Sequence, residues 1–264
     1  MSDPATDRGF DPVDAITEHS RGFAAAATQD VDAPVEHCPG WTVADLVEHL
    51  TQVQWSWATI ADERLDAPPG PDARPPTAPR EQLIATFERG ADHLARVLRD
   101  ADPATPVWTW APGAQDIAFI TRHQVQEAAV HHWDAVHAVG GSLQIATPVA
   151  VDSVTEFLTY SVSSEADPAE PELPALAGRF TLRCSDADRG WTVSDGPIPG
   201  TVAFDTTVDR VVDRIIDPAV DPAGPAITAT GSDLLLWLYG RVDLDTAAVD
   251  AGVLARFRAL CFTT

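Results

Sequence analysis

From Arg122 to Val139 the chain runs without a single Gly or Pro, and Gly140-Gly141 then stops it. A run of that kind, with Val125, Ala129, Trp133 and Val136 three or four residues apart, predicts a long helix from about Ile117 to Val139. Its other face carries Gln124, Glu127, His131 and Asp134. Side chains four apart on a helix stand one above the other, so the Glu127 carboxylate and the His131 imidazole project toward one point. A polar helix face is most simply a solvated one. It is also how metal sites inside helical bundles are built, from side chains on facing elements.

The rest of the N-terminal half supplies those facing elements. Asp11 to Thr28 has helical spacing through Val13, Ile16, Ser20 and Phe23, and ends in the breaker-rich loop V-D-A-P-V-E-H-C-P-G-W. Thr42 with Asp45 three residues on reads as a capping-box-like start. Val43, Leu46, Val47, Leu50, Val53 and Trp57 follow as an apolar stripe, with His49 on its flank. The segment A-P-P-G-P-D-A-R-P-P-T-A-P, residues 67–79, is too rich in proline for regular structure. Helical spacing resumes from Arg80 to Leu98, and a loop with Trp108, Trp110 and Pro112 leads to the long helix. Four helices are therefore expected before residue 142.

Beyond Gly141 the pattern changes. A helix over Val149–Ser161 precedes the acidic S-E-A-D-P-A-E-P-E-L-P. R-F-T-L-R-C, G-W-T-V-S-D, T-V-A-F-D and A-I-T-A-T then read as short strands, with D-A-D-R-G as a hairpin turn between the first two. Asp209–Ile216, Leu234–Tyr239 and Thr246–Leu260 read as helices. The fold expected is a two-domain α plus α/β chain: a four-helix domain over 1–141 and a small α+β domain over 142–264.

Charge narrows the choice of partner. The 264 residues hold 40 acidic against 17 basic side chains, with no Lys, for a net charge of -23. Such a field repels phosphate backbones and anionic lipid, which argues against nucleic acid or membrane as partner. No apolar run reaches the ~20 residues of a membrane span, and the first residues lack a secretory pattern, so a cytoplasmic location is expected. Cys38, Cys184 and Cys261 are odd in number and far apart, which points to reduced thiols rather than a disulfide framework or a thiolate zinc ribbon. All eight histidines fall between His19 and His137. Imidazole chemistry belongs to the first half.

Within that half, Glu127 and His131 need a further donor, because zinc sites with an open position use three protein ligands. His49 is the candidate, from the edge of a second helix. An N, N, O donor set suits zinc ahead of other first-row divalent ions. Asp134, one turn on, is either a solvated aspartate or the partner that orients His131. His93, His123, His132 and His137 are expected on other faces, as surface or packing residues. His37 and Cys38 lie in the loop before the His49 helix, at the rim of any site there. No G-x-S-x-G is present, and the second half has no histidine to act as a base. In the second half, Gly240 ends an apolar helix and is followed by Arg241. This is either a C-cap glycine with a surface arginine, or an arginine presented to a carboxylate.

C-P-G-W-T-V-A-D-L-V-E-H-L at 38–50, E-A-A-V-H-H-W-D-A at 127–135 and G-S-D-L-L-L-W-L-Y-G-R at 231–241 together resemble the mycothiol-dependent maleylpyruvate isomerase family. The resemblance implies a DinB-like metal-binding four-helix bundle, followed by a small sterol-carrier-like α+β domain. It further implies His49, Glu127 and His131 as zinc ligands, Arg241 as a residue of activity and cofactor binding, and mycothiol as thiol cofactor. The implied activity is isomerisation or S-transfer on a small electrophile that bears a carboxylate. A metal-dependent hydrolase on the same bundle and a non-catalytic metal- or ligand-binding module are the alternatives. The proline-rich connection and the acidic surface depart from the family pattern and bear on the substrate.

Overall fold

The computed structural model describes residues 9–111, 113–162, 175–196, 201–207 and 224–261. The chain divides into two compact units, Met1–Ile145 and Ala146–Thr264.

The first unit is built on four α-helices: α1 (Pro12–Ala27), α2 (Val43–Glu63), α3 (Leu83–Asp100) and α4 (Ile117–Ala138). Three of the four starts are explained by the residue before them, those of α1, α2 and α4. Asp11 accepts from Asp14 N ahead of Pro12, whose fixed φ suits a first helical position. Thr42 and Asp45 form a reciprocal capping box at α2. Asp116 accepts from Phe119 N at α4. The connection over 67–79 holds one 3-10 turn, Pro71–Ala73, in a stretch expected to be wholly irregular. A second such turn, Arg80–Gln82, precedes α3.

Helix α1 packs on α3 and α4, and α2 packs on α3 and α4. Phe23, Val43, Leu46, Val47, Leu50 and Phe87 are buried in one cluster, and the Phe23 and Phe87 rings meet edge to face at 4.9 Å. Truncating a fully buried leucine such as Leu50 to alanine costs about 2–5 kcal/mol in a core of this kind.

Helix α4 is buried almost all the way round: from His123 to Ala135, His132 alone is not buried. The face bearing Gln124, Glu127, His131 and Asp134 is thus an interior face and not a solvated one. Polarity in the sequence does not distinguish water from a polar core. Buried polar groups need partners: Glu127 meets His49 of α2, and within α4 His131 meets both Glu127 and Asp134.

In the second unit α5 (Thr147–Tyr160) precedes a four-stranded sheet. The strands are β1 (Arg179–Cys184), β2 (Gly190–Asp195), β3 (Val202–Thr207) and β4 (Ala226–Ala229), in the order β3-β2-β1-β4. β1–β2 and β2–β3 are antiparallel, with Leu182 opposite Trp191 and Val193 opposite Phe204, while β1–β4 is parallel. Alternation of Phe180, Leu182 and Cys184 puts one face of β1 inward. α6 (Gly231–Leu238) follows β4 directly and packs against α5.

The last helix, α7, covers only Ala251–Leu260, and not the expected Thr246–Leu260. Asp250 accepts from the backbone N–H of Gly252 and Val253 and so fixes the start, while Thr246–Val249 closes a turn. The helix expected over Asp209–Ile216 and the acidic segment 164–174 lie outside the described residues.

Among the described residues no helix is long and apolar enough to cross a membrane. None of the three cysteines is in a disulfide. Burial pushes the Cys184 thiol up to about 11 and the Cys261 thiol up to about 12, so neither offers a thiolate at neutral pH.

Candidate metal centre

His49, Glu127 and His131 converge in the first unit. Each offers one ligand atom, and these atoms all lie within 4.8 Å of one another. Glu127 Oε1 is 3.1 Å from His49 Nε2 and 3.4 Å from His131 Nε2. Donors bound at about 2.1 Å around a tetrahedral ion stand ~3.4 Å apart. Both separations from Glu127 are close to that spacing.

The supporting groups fit the same purpose. Asp134 Oδ2 is 3.0 Å from His131 Nδ1, and Asp134 is fully buried. A proton on Nδ1 donated to that carboxylate leaves the Nε2 lone pair free toward Glu127 and His49. Charge would also balance: a doubly charged cation held there would offset the two buried carboxylates, Glu127 and Asp134, beside neutral imidazoles. Without a cation the imidazoles carry that role. Burial alone would raise the Glu127 carboxyl, but the His131 charge and hydrogen bonds from His131 and His49 hold it far below the usual carboxylate range. Burial alone would lower His131, but Glu127 and Asp134 raise it well above an ordinary histidine.

The set is closed on one side and open on the other. Glu127 and His131 side chains are 8% and 9% exposed, whereas His49 is 26% exposed. The exposed ring of Trp41 lies 5.1 Å from His49, and the His49 and His131 rings meet edge to face at 5.2 Å. A small molecule would reach the donors from the His49 edge.

Two features of the site were not legible as such in the sequence. His123 is not on another face: it is buried, and its charge acts on Glu127. The signal was available, since His123 precedes Glu127 by the same four residues that separate Glu127 from His131. Its ring stacks on Phe119 at 5.5 Å and meets Trp57 and Trp110 edge on. Gln124, fully buried one turn before Glu127, has neither amide atom paired with another described group.

His132 is packed against α1, where its Nδ1 is 3.1 Å from His19 Nδ1. Burial drives both rings down to about 4, His132 with help from the His19 charge, so both are neutral at pH 7.

Arg241 belongs to the second unit. α6 ends in a Schellman arrangement: Gly240 N–H donates to Trp237 O, Arg241 N–H donates to Leu236 O, and Gly240 sits at φ +71. The C-cap reading of Gly240 is therefore correct. The Arg241 guanidinium donates from Nη1 to Tyr239 O at 2.8 Å and lies 5.6 Å from the Tyr239 ring centre.

Comparison with known proteins gives a match over residues 13–136 to the family model described as mycothiol maleylpyruvate isomerase N-terminal domain. No curated protein and no solved structure matches the chain. The matched segment runs from α1 to the last turn of α4 and contains His49, Glu127, His131 and Asp134. The whole convergent donor set thus lies inside the segment that is similar to the mycothiol maleylpyruvate isomerase N-terminal domain family.

Proposed function

We propose that this chain is a metal-dependent enzyme that uses mycothiol as a thiol cofactor, with His49, Glu127 and His131 as ligands of one zinc ion. The observation that carries this reading is the convergence of N, N and O donors within 4.8 Å of one another inside the family-matched segment. The first unit is read as a DinB-like bundle, and the second, residues 142–264 in the division expected from sequence, as the sterol-carrier-like domain. Zinc, when bound, favours the ionised form of a coordinated thiol and so supplies a nucleophile at neutral pH.

The chain's own residues do the rest. Asp134 holds the His131 proton on Nδ1 and keeps Nε2 available. Glu127 brings a negative charge against both imidazoles and keeps them oriented. The partial opening at His49 admits a small molecule, while burial of Glu127 and His131 excludes water from the other side. Arg241 is assigned to a carboxylate of the substrate or of the thiol, which its planar fork can hold in bidentate fashion. No protein thiol is needed as nucleophile, in keeping with the burial of Cys184 and Cys261. The reaction class is isomerisation or S-transfer on a small electrophilic carboxylate.

Calorimetric titration of zinc-loaded protein with mycothiol tests the reading. Saturable binding at one equivalent, lost in Glu127→Gln, is expected. Zinc-loaded protein that ignores mycothiol but hydrolyses ester or amide substrates would move the assignment to a hydrolase. An Arg241→Ala variant that leaves mycothiol affinity and turnover of maleylpyruvate unchanged would remove Arg241 from the machinery.

A further inference from the structure

A second set of donors lies at the far end of α4, and the proposed reaction has no use for it. Glu36 and His37 sit in the loop before α2, and His137 sits in the last turn of α4. One ligand atom from each lies within 4.8 Å of the other two. Glu36 Oε2 is 2.9 Å from His137 Nε2, and the His37 and His137 rings are 5.7 Å apart.

Both elements hold these groups in place without a ligand. Trp133 stacks on His137 at 4.6 Å with the planes 10° apart, and its ring is 5.7 Å from His37. The loop is closed by Val35 N–H donating to Trp41 O, Cys38 N–H to Val35 O and Trp41 N–H to Cys38 O, with Gly40 at φ +86. α4 ends there, its last turn capped by Gly140 N–H to His137 O and Gly141 N–H to Val136 O. The carbonyl end of a helix carries partial negative charge and favours a cation. Histidine in that position is usually explained by its own positive charge. Two imidazoles facing one carboxylate form instead a donor set for a metal.

We propose that Glu36, His37 and His137 form a second, solvent-accessible site for a first-row divalent cation of the zinc, nickel or copper type. Two imidazoles and one carboxylate select such ions over calcium or magnesium, which take oxygen donors. The remaining positions face solvent. An ion there ties the loop that carries Trp41, and leads into α2 and His49, to the end of α4. The site stands on its own residues and does not depend on the assignment of His49, Glu127 and His131.

Calorimetric titration of tag-free, metal-stripped protein with Zn2+ alone tests it, with circular dichroism to check each variant's fold. Wild type is expected to bind two equivalents and the Glu36→Ala/His37→Ala double variant one. The His49→Ala/Glu127→Ala variant is expected to keep one equivalent, which the combined quadruple variant loses. Should the Glu36→Ala/His37→Ala variant bind as many equivalents as wild type, with unchanged affinity, the second site does not exist. If instead the His49→Ala/Glu127→Ala variant binds as wild type does and the Glu36→Ala/His37→Ala variant binds nothing, the peripheral site stands and the buried one fails.

Discussion

Asp134 offers the most informative single perturbation, because it meets the proposed ligand His131 at the ring nitrogen turned away from Glu127. Its carboxylate accepts from His131 Nδ1 at 3.0 Å and is fully buried. A hydrogen bond to a charged group in such a place contributes about 1.5–3 kcal/mol, against about 0.5–1.5 kcal/mol for a neutral one. Asp134→Ala removes the whole interaction and leaves a buried ring N–H unpaired, so zinc affinity should fall about 10–100-fold, the range typical of such supporting groups. Asp134→Asn keeps the shape and a neutral acceptor, and loses only the difference, about 1–1.5 kcal/mol, or roughly five- to tenfold. The order expected is therefore wild type, then Asn, then Ala. Competition for Zn2+ against a chromophoric chelator at pH 7 measures it. An Ala variant that folds and holds zinc within twofold of wild type would refute the argument that Asp134 orients a ligand.

Three further outcomes are expected. A methyl group added at Gly22 would meet His132 Cε1 at 2.2 Å, so Gly22→Ala should destabilise by about 1–3 kcal/mol despite the ~1 kcal/mol helix preference for Ala. In the His132→Ala background the same change should become stabilising, read from urea midpoints. His19 is held neutral by burial, near 4 against an ordinary 6.5. Its contribution is therefore complete above about pH 6.5 and is lost as pH falls toward 4, by up to about 3 kcal/mol. His19→Gln should flatten the pH dependence of stability in that window, and an unchanged slope would assign the acid sensitivity elsewhere. Zinc at about a thousand times its Kd should stabilise the chain by about 4 kcal/mol against thermal unfolding. Chelation should reverse this, and Glu127→Gln should remove most of the difference.

Local chemistry made much of the fold readable. T-V-A-D names its own capping box, D-A-D-R-G its own hairpin, and the Gly140-Gly141 pair the end of α4. Glu127 and His131 were readable as a pair because their spacing is a property of one helix. His49 was readable as a candidate from its place on the flank of the α2 stripe. What the sequence could not express was burial. The polar side of α4 looks the same in one dimension whether it faces water or α2, and only packing shows that Gln124, Glu127 and Asp134 are interior. The same gap hid the His19–His132 pair, whose members are brought together by α1 and α4 packing and not by any spacing. The start of α7 differs for the opposite reason, since the helical periodicity of Thr246–Val249 yields to one side chain, Asp250, that caps the helix later.

The mixed sheet of the second unit has a bearing on what places Arg241. β1, β2 and β3 form a local meander, whereas β4 joins β1 in parallel only after the intervening residues 208–225. The start of α6 is fixed by Thr230, directly after β4, and by Asp186 Oδ1 accepting from Gly231 N–H. The register Leu182–Ile227, and not the length of what precedes it, therefore sets where α6 begins and where Arg241 ends it. Arg241, two residues beyond the C-cap Tyr239, is thereby held relative to the sheet of its own unit.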